Sequence, residues 1–122
     1  MAILVTGPID EDQLGGDVED IHLEAFNNTP YRVQVVLRVY NSENFPPEEI
    51  GNETSTLEPY DRDNLTVDTN DADHVLVQIE HPLGRNDVHC TVYGRDNNGD
   101  NLPGATYRHT ELFEGGVGIL ES

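Results

Sequence analysis

Regular alternation of apolar and polar residues is the feature that most constrains the fold of this chain. The stretch YRVQVVLRVY (31–40) places valine or leucine at every second position, and HVLVQIE (74–80) and DVHCTVY (87–93) repeat this period. Successive side chains of a β-strand point to opposite faces, whereas a helix repeats every 3.6 residues. The period of two therefore predicts strands with one buried face, and the abundance of valine supports this assignment.

Short segments rich in Gly, Pro, Asn and Asp separate the apolar stretches, as the turns between strands require. They fall at 27–30, 41–52, 69–73, 81–87 and 97–104. A strand is predicted from Asp20 to Asn27, and the stretch ATYRHTELF (105–113) continues the strand rhythm. With 122 residues the chain is long enough for one domain. We predict a single all-β, antiparallel, jelly-roll-like sandwich of about eight strands.

The charge of the chain is strongly negative, which limits its partners. Asp and Glu number 24 against six arginines, there is no lysine, and the formal net charge is −18. Nucleic-acid binding needs a basic face, so it is not expected, and an anionic membrane surface is disfavoured for the same reason. Self-repulsion of this size is reduced by salt or bound divalent cations. It indicates either a halophilic protein or a surface protein that stays soluble.

The acidic stretch YGRDNNGDN (93–101) contains Asp96, Asn98 and Asp100 at alternate positions, as a calcium loop does at its start. A calcium loop that began at Asp96 would need Gly at its sixth position and Glu at its twelfth. Those positions hold Asn and Tyr. We interpret the stretch as a hairpin turn with a positive φ at Gly99, which leaves the three residues only as weak metal candidates.

Five histidines suggest metal or catalytic chemistry, and they are His22, His74, His81, His89 and His109. His89 and His109, with Glu111, would form a two-histidine carboxylate site if the last two residues lay on a strand beside His89. We interpret all five as ordinary strand-surface histidines. No nucleophile elbow, phosphate loop or zinc spacing is present in the sequence, so we expect no enzyme and no cofactor.

The single cysteine, Cys90, has no partner for a disulfide within the chain and falls on an inward strand position. We expect it to behave as a small buried hydrophobic residue. The N-terminal MAILVTGPIDEDQ has no basic region, and its apolar run is too short for a secretion signal or a membrane span. Production without a classical signal peptide is therefore expected.

The N-terminus has the form of a detachable strand. The apolar AILVTGPI is followed by the polar DEDQLGGD, so residues 1–14 are predicted to form an assembly arm and 15–122 the sandwich. Such an arm would complete the sheet of a neighbouring copy through main-chain hydrogen bonds. Its apolar residues would be Ile3, Leu4, Val5 and Ile9, with Gly15 and Gly16 as the hinge. The alternative is a terminal strand of the chain's own sheet. Deletion of 1–12 should leave a folded monomer if the arm is detachable.

Apolar and arginine side chains on the outer strand faces are candidates for subunit contacts. An isolated sandwich rarely exposes large apolar patches, and scarce arginines are expected to pair with carboxylates across sheet faces or between subunits. The apolar candidates are Val36, Tyr40, Leu76 and Tyr93, and the arginines are Arg32, Arg38, Arg95 and Arg108.

Three stretches resemble the small jelly-roll subunits of endospore-appendage fibres, over residues 20–114. They are IHLEAFNNTPYRVQVVLRVYNSE, LEPYDRDNLTV and VHCTVYGRDNNGDNLPGATYRHTEL. The resemblance implies an eight-stranded sandwich that stacks into fibres through an N-terminal arm and is made without a secretion signal. The arms of that family carry cross-linking cysteines, and residues 1–20 contain none.

These observations predict a self-assembling structural subunit of an extracellular filament, joined by β-strand donation. One alternative is a soluble calcium- or carbohydrate-binding module that uses the acidic loops at 61–73 and 96–101. Another is a virion structural protein, which shares the predicted fold and the self-association.

Overall fold

The computed structural model describes residues 1–10, 17–44 and 46–115 of the chain, and within them nearly all regular structure is β-strand. One short 3-10 helix covers His109–Glu111. None of the helices within these ranges is long and apolar enough to cross a membrane. The strands are β1 (Ala2–Val5), β2 (Ile9–Asp10), β3 (Asp20–Asn27), β4 (Val33–Asn41), β5 (Glu48–Leu57), β6 (Arg62–Asp68), β7 (His74–His81), β8 (Val88–Arg95), β9 (Asn101–Tyr107) and β10 (Phe113–Glu114).

Two antiparallel sheets pack face to face, which confirms the predicted all-β sandwich. The first sheet has the order β10-β1-β7-β4-β5, with β2 also beside β7, and the second has the order β6-β3-β8-β9. The alternate apolar residues of β3, β4, β7 and β8 point inward and form the core. Burial of apolar side chains between the sheets is the main favourable contribution to folding. Because side chains alternate along each strand, this burial also determines which residues lie on the two outer faces.

The predicted strand from Asp20 to Asn27 is confirmed as β3. The turn between β8 and β9 is also confirmed, although residues 101–104 of the predicted turn segment belong to β9. Asp96 accepts the backbone N–H groups of Asn98 at 2.9 Å and Asp100 at 3.0 Å, and Gly99 has a φ of +79°. A positive φ is accessible to glycine without a steric penalty, so this stretch folds as a tight connection.

Two strand predictions are wrong. Residues 48–52 belong to β5 rather than to a turn. The segment 108–112 leaves the sheet after β9 and contains the 3-10 helix. β5 lies at a sheet edge and buries few side chains, so its sequence lacks an apolar rhythm. His109 and Glu111 therefore do not lie on a strand beside β8.

Tyr40 was expected on an exposed outer face, and this expectation is wrong. The residue is only 1% exposed. Its neighbour across β7 is Leu76, so it does lie on the outer side of the first sheet, where the pairing of β4 with β5 shifts at a β-bulge between Val39 and Tyr40. Burial raises the pKa of the Tyr40 hydroxyl. A side chain enclosed by its own chain does not supply a free subunit contact.

Candidate functional site

Strand β1 occupies a slot between β7 and β10 in the first sheet of its own chain. Leu4 is paired with Ile79 of β7 on one side and with Glu114 of β10 on the other. The backbone N–H of Gly115 donates to the carbonyl of Ile3 at 2.8 Å. We call this position the β1 slot, defined by β7 on one side and β10 on the other.

The N-terminal residues are part of the sandwich in this fold and not an extended arm. Leu4 is 0% exposed and Ile9 is 2% exposed, and both belong to the core. The outward Ile3 and Val5 are half-buried. Removing a buried Leu or Ile side chain costs about 2–5 kcal/mol. Deletion of residues 1–12 is therefore expected to destabilise the sandwich, whereas a detachable arm would have left a folded monomer.

The strand continues past β1 along β7 through Thr6. The backbone N–H of Thr6 donates to the carbonyl of Val77 at 3.0 Å, and the N–H of Val77 donates to the Thr6 hydroxyl at 3.3 Å. β2 then pairs Ile9 with Val75. The proposed hinge residues Gly15 and Gly16 lie outside the described residues.

β10 forms the outer wall of the slot. Val5 is paired with Phe113, whose side chain is 63% exposed. The guanidinium of Arg85 donates to the carbonyl of Leu112 at 2.7 Å and so anchors the chain just before this strand. The sequence did not indicate Phe113 as a neighbour of β1. β10 has only two residues, which is too short for a pattern that would assign its pairing with β1.

Three of the strands at the sheet edges carry features that oppose the addition of a further strand. β10 has only two residues, β9 contains the exposed Pro103, and β5 carries the exposed carboxylates of Glu48, Glu49 and Glu53. Short edges, proline and charge all disfavour pairing with another chain. Backbone pairing between copies is therefore easier at the β1 slot than at these edges.

Two of the four predicted arginines pair across the sheet faces. Arg38 contacts Glu49 at 3.0 Å and Glu80 at 3.1 Å. Arg95 donates to both carboxylate oxygens of Asp20, at 2.7 and 3.1 Å. The hydrogen bonds that the guanidinium groups donate to these carboxylates raise the pKa values of Arg38 and Arg95 above their ordinary value. Both arginines are satisfied within one chain.

The remaining surface candidates are less constrained. Arg32 pairs with the loop residue Glu58 at 3.1 Å, while Arg108 has no ion pair among the described residues. Val36, Leu76 and Tyr93 are half-buried on the outer faces, as predicted from strand parity. Their side chains are less available to a partner than exposed apolar groups would be.

The two-histidine carboxylate site is not assembled. The rings of His89 and His109 lie 5.7 Å apart. The Glu111 carboxylate accepts the backbone N–H of Arg108 at 3.0 Å, and the His109 Nδ1 accepts the N–H of Cys90 at 3.2 Å. Within the described ranges no three His, Cys, Asp or Glu side chains form a group able to hold a metal ion.

Two titratable side chains, Cys90 and His81, are buried, and burial shifts the pKa of each. Burial raises the pKa of the Cys90 thiol to about 12, as expected for an inert buried cysteine. His81 is 1% exposed, and burial lowers its pKa. The sequence reasoning placed His81 in a turn, but it continues the inward series Val75, Val77 and Ile79, which is a signal that could have found it.

Comparisons of the chain with protein-family models, with curated protein sequences and with solved structures find no match.

Proposed function

We propose that this protein is a non-enzymatic structural subunit that assembles into an extracellular filament by exchange of β1 between copies. The single observation that carries the proposal is the position of β1, which is inserted between β7 and β10. Every backbone and core contact of β1 in this slot could be made equally by β1 of a second copy. Exchange then retains the same hydrogen bonds and the same buried Leu4.

The sequence that follows β1 and β2 supports exchange of these two strands together. Residues 11–16 read EDQLGG, with two acidic residues and two glycines. Glycine imposes little restriction on the backbone direction, so a segment of this kind suits a connection that crosses to a neighbour. The protected sheet edges leave fewer competing routes for strand addition. The resemblance to endospore-appendage subunits favours the same assembly.

The direction of exchange decides what is built. Head-to-tail exchange does not close on itself and extends into a filament, whereas reciprocal exchange between two copies gives a closed dimer. At −18 per chain, neighbouring subunits repel each other at low ionic strength, so assembly is expected to be stronger in molar salt. This salt dependence extends the halophilic interpretation of the composition.

A disulfide between β1 and β10 tests the proposal. In a Cys90→Ala background, Val5→Cys and Phe113→Cys place two thiols on directly opposed residues of antiparallel strands. Opposed Cα atoms lie about 4.5–5.5 Å apart, which suits a disulfide. The oxidised protein is expected to give a ladder of covalent multimers on a non-reducing gel after assembly in molar salt. The same sample should contain filaments by negative-stain electron microscopy.

The two single-cysteine variants are the matched controls and should form at most dimers. A double variant that cross-links only within monomers would show that β1 stays in its own chain and would overturn the proposal. A product that stops at dimers would show reciprocal exchange and would overturn the filament. Immunogold labelling of intact cells then tests the extracellular location.

A further inference from the structure

A groove of about 510 Å³ crosses the outer face of the second sheet. Its floor consists of two rows of paired residues on β6, β3 and β8. One row is Arg62, Phe26 and His89, and the next is Asn64, Glu24 and Thr91. The ring of His109 closes one end of the groove, 5.7 Å from the ring of His89. The size falls within the range of small-molecule sites.

The polar side chains of this groove differ from those beside it on the same face. In the rows beyond the groove, the His22 ring is hydrogen-bonded to the Thr66 hydroxyl at 3.1 Å, and the Arg95 guanidinium donates two hydrogen bonds to Asp20. Within the groove, by contrast, the side chains of Arg62, Asn64, His89 and Thr91 have no hydrogen-bond partner among the described residues. Glu24 has only a 3.7 Å approach to His22.

These unpartnered groups surround a half-buried aromatic ring. Phe26 lies at the centre of its row, with its ring 6.0 Å from that of His89 at an interplanar angle of 52°. Arg62 supplies only donors, Glu24 only acceptors, and Asn64 supplies both. The groove therefore presents an aromatic platform flanked by Arg62 and His89 in its own row, with Glu24 and Asn64 in the next row. A few polar groups beside an apolar surface are what orient a ligand.

From this arrangement we infer that the groove binds a neutral saccharide. Each sugar hydroxyl both donates and accepts hydrogen bonds, which matches the mixed set around the groove. The C–H face of a pyranose ring matches the apolar surface of Phe26. The net charge of −18 repels anionic ligands, and a simple cation would find carboxylates over the whole surface. The inference does not depend on β1 exchange, because the groove lies on the other sheet.

Titration of the ¹⁵N-labelled full chain with maltotetraose, cellotetraose and chitotetraose tests the inference by NMR. Sugar concentrations to about 10 mM reach the weak range of binding. At least one sugar is expected to give saturable shifts confined to the amides of Phe26, His89, Thr91 and their neighbours. Absence of saturable shifts with all three sugars, or shifts centred on the loops at 61–73 and 96–101, would overturn the inference.

Matched variants separate the groove from the rest of the face. Phe26→Ala should raise the Kd for the sugar at least about tenfold, because it removes the apolar surface on which the sugar ring would lie. Tyr93→Ala, another half-buried aromatic of the same sheet face, should leave it unchanged. If Phe26→Ala does not fold, the exposed Arg62→Ser provides the test, with the exposed Arg108→Ser as its control. Equal weakening by a groove variant and its control would contradict the proposed site.

Discussion

Asn27 at the end of β3 and His81 at the end of β7 are both buried polar side chains, but their bonding differs. The Asn27 amide donates to the carbonyls of Tyr31 at 2.6 Å, Glu58 at 3.1 Å and Leu57 at 3.4 Å. Its oxygen accepts the N–H and the hydroxyl of Thr29, at 3.1 and 2.7 Å.

The imidazole of His81 has a much smaller set of partners. Nδ1 accepts the N–H of Leu83 at 3.3 Å, while the buried Nε2 has no hydrogen-bond partner within residues 1–10, 17–44 and 46–115. A buried polar group that is fully bonded holds its neighbours in place, whereas one left unbonded retains most of its desolvation cost. Asn27 therefore holds together the loop at Tyr31 and the loop after Leu57. His81 instead makes the stability of the fold depend on pH.

Replacing Asn27 with Ala should produce the largest effect. The change removes five hydrogen bonds, including the bond from the Asn27 amide to the carbonyl of the buried Leu57. We expect the free energy of unfolding to fall by about 3 kcal/mol, as measured by urea titration. Asn28→Ala is the matched control, because Asn28 is exposed and donates only its backbone N–H, to Asp87. A loss below about 1 kcal/mol would show that the buried bonds contribute little.

A smaller effect is expected from Thr29→Val. The hydroxyl donates to Asn27 at 2.7 Å and to the carbonyl of Tyr31 at 3.3 Å, and it accepts the N–H of Tyr31 at 3.2 Å. Valine keeps the shape of the side chain and removes all three contacts. The expected loss is about 1 kcal/mol, and Thr56→Val on the exposed face of β5 is the control. Combined with Asn27→Ala, the two losses should not add, because both substitutions break the same bond. Strict additivity would mean that the two residues act independently.

The sequence predicted the core of the sandwich because burial on one face imposes a period of two. Val33, Val35 and Leu37 are buried as this pattern requires, and the bounds of β3 were predicted correctly. β5 escaped prediction because an edge strand with exposed Glu48 and Glu53 has no buried face to produce the pattern. Long-range pairing was equally invisible, since nothing in the short β10 specifies β1 as its neighbour.

Of the candidate sites, only the strand-like character of the N-terminus could be recognised in the sequence. The pattern of AILVT indicates a strand but not whose sheet it joins, since the same hydrogen bonds form within or between chains. The groove over Phe26 depends on the registers of β3 with β6 and β8, which bring Arg62 and His89 beside this residue. Strand parity places Phe26 on the outer face, and only the register supplies its neighbours.

The smallest expected effect is the change in the free energy of unfolding with pH that His81 causes. Burial lowers the pKa of His81 below its ordinary 6.5. The amino terminus and His109 act in the same direction, and Asp87 opposes them. The unfolded chain therefore binds more protons than the folded one as the pH falls through 6.5, so stability is complete above this value and decreases below it.

From about pH 7.5 to about pH 6, His81 should lower the free energy of unfolding by less than about 1 kcal/mol, because only its unfolded form titrates strongly there. His81→Leu removes the titrating group and should flatten the profile, measured by urea titration at each pH. The lowered pKa of His109 leaves a residual slope in the variant, and His74→Leu, at a half-exposed position of the same strand, is the control. Parallel profiles for the wild type and His81→Leu would mean that the unbonded Nε2 acquires a partner in solution, and the contrast with Asn27 would then disappear.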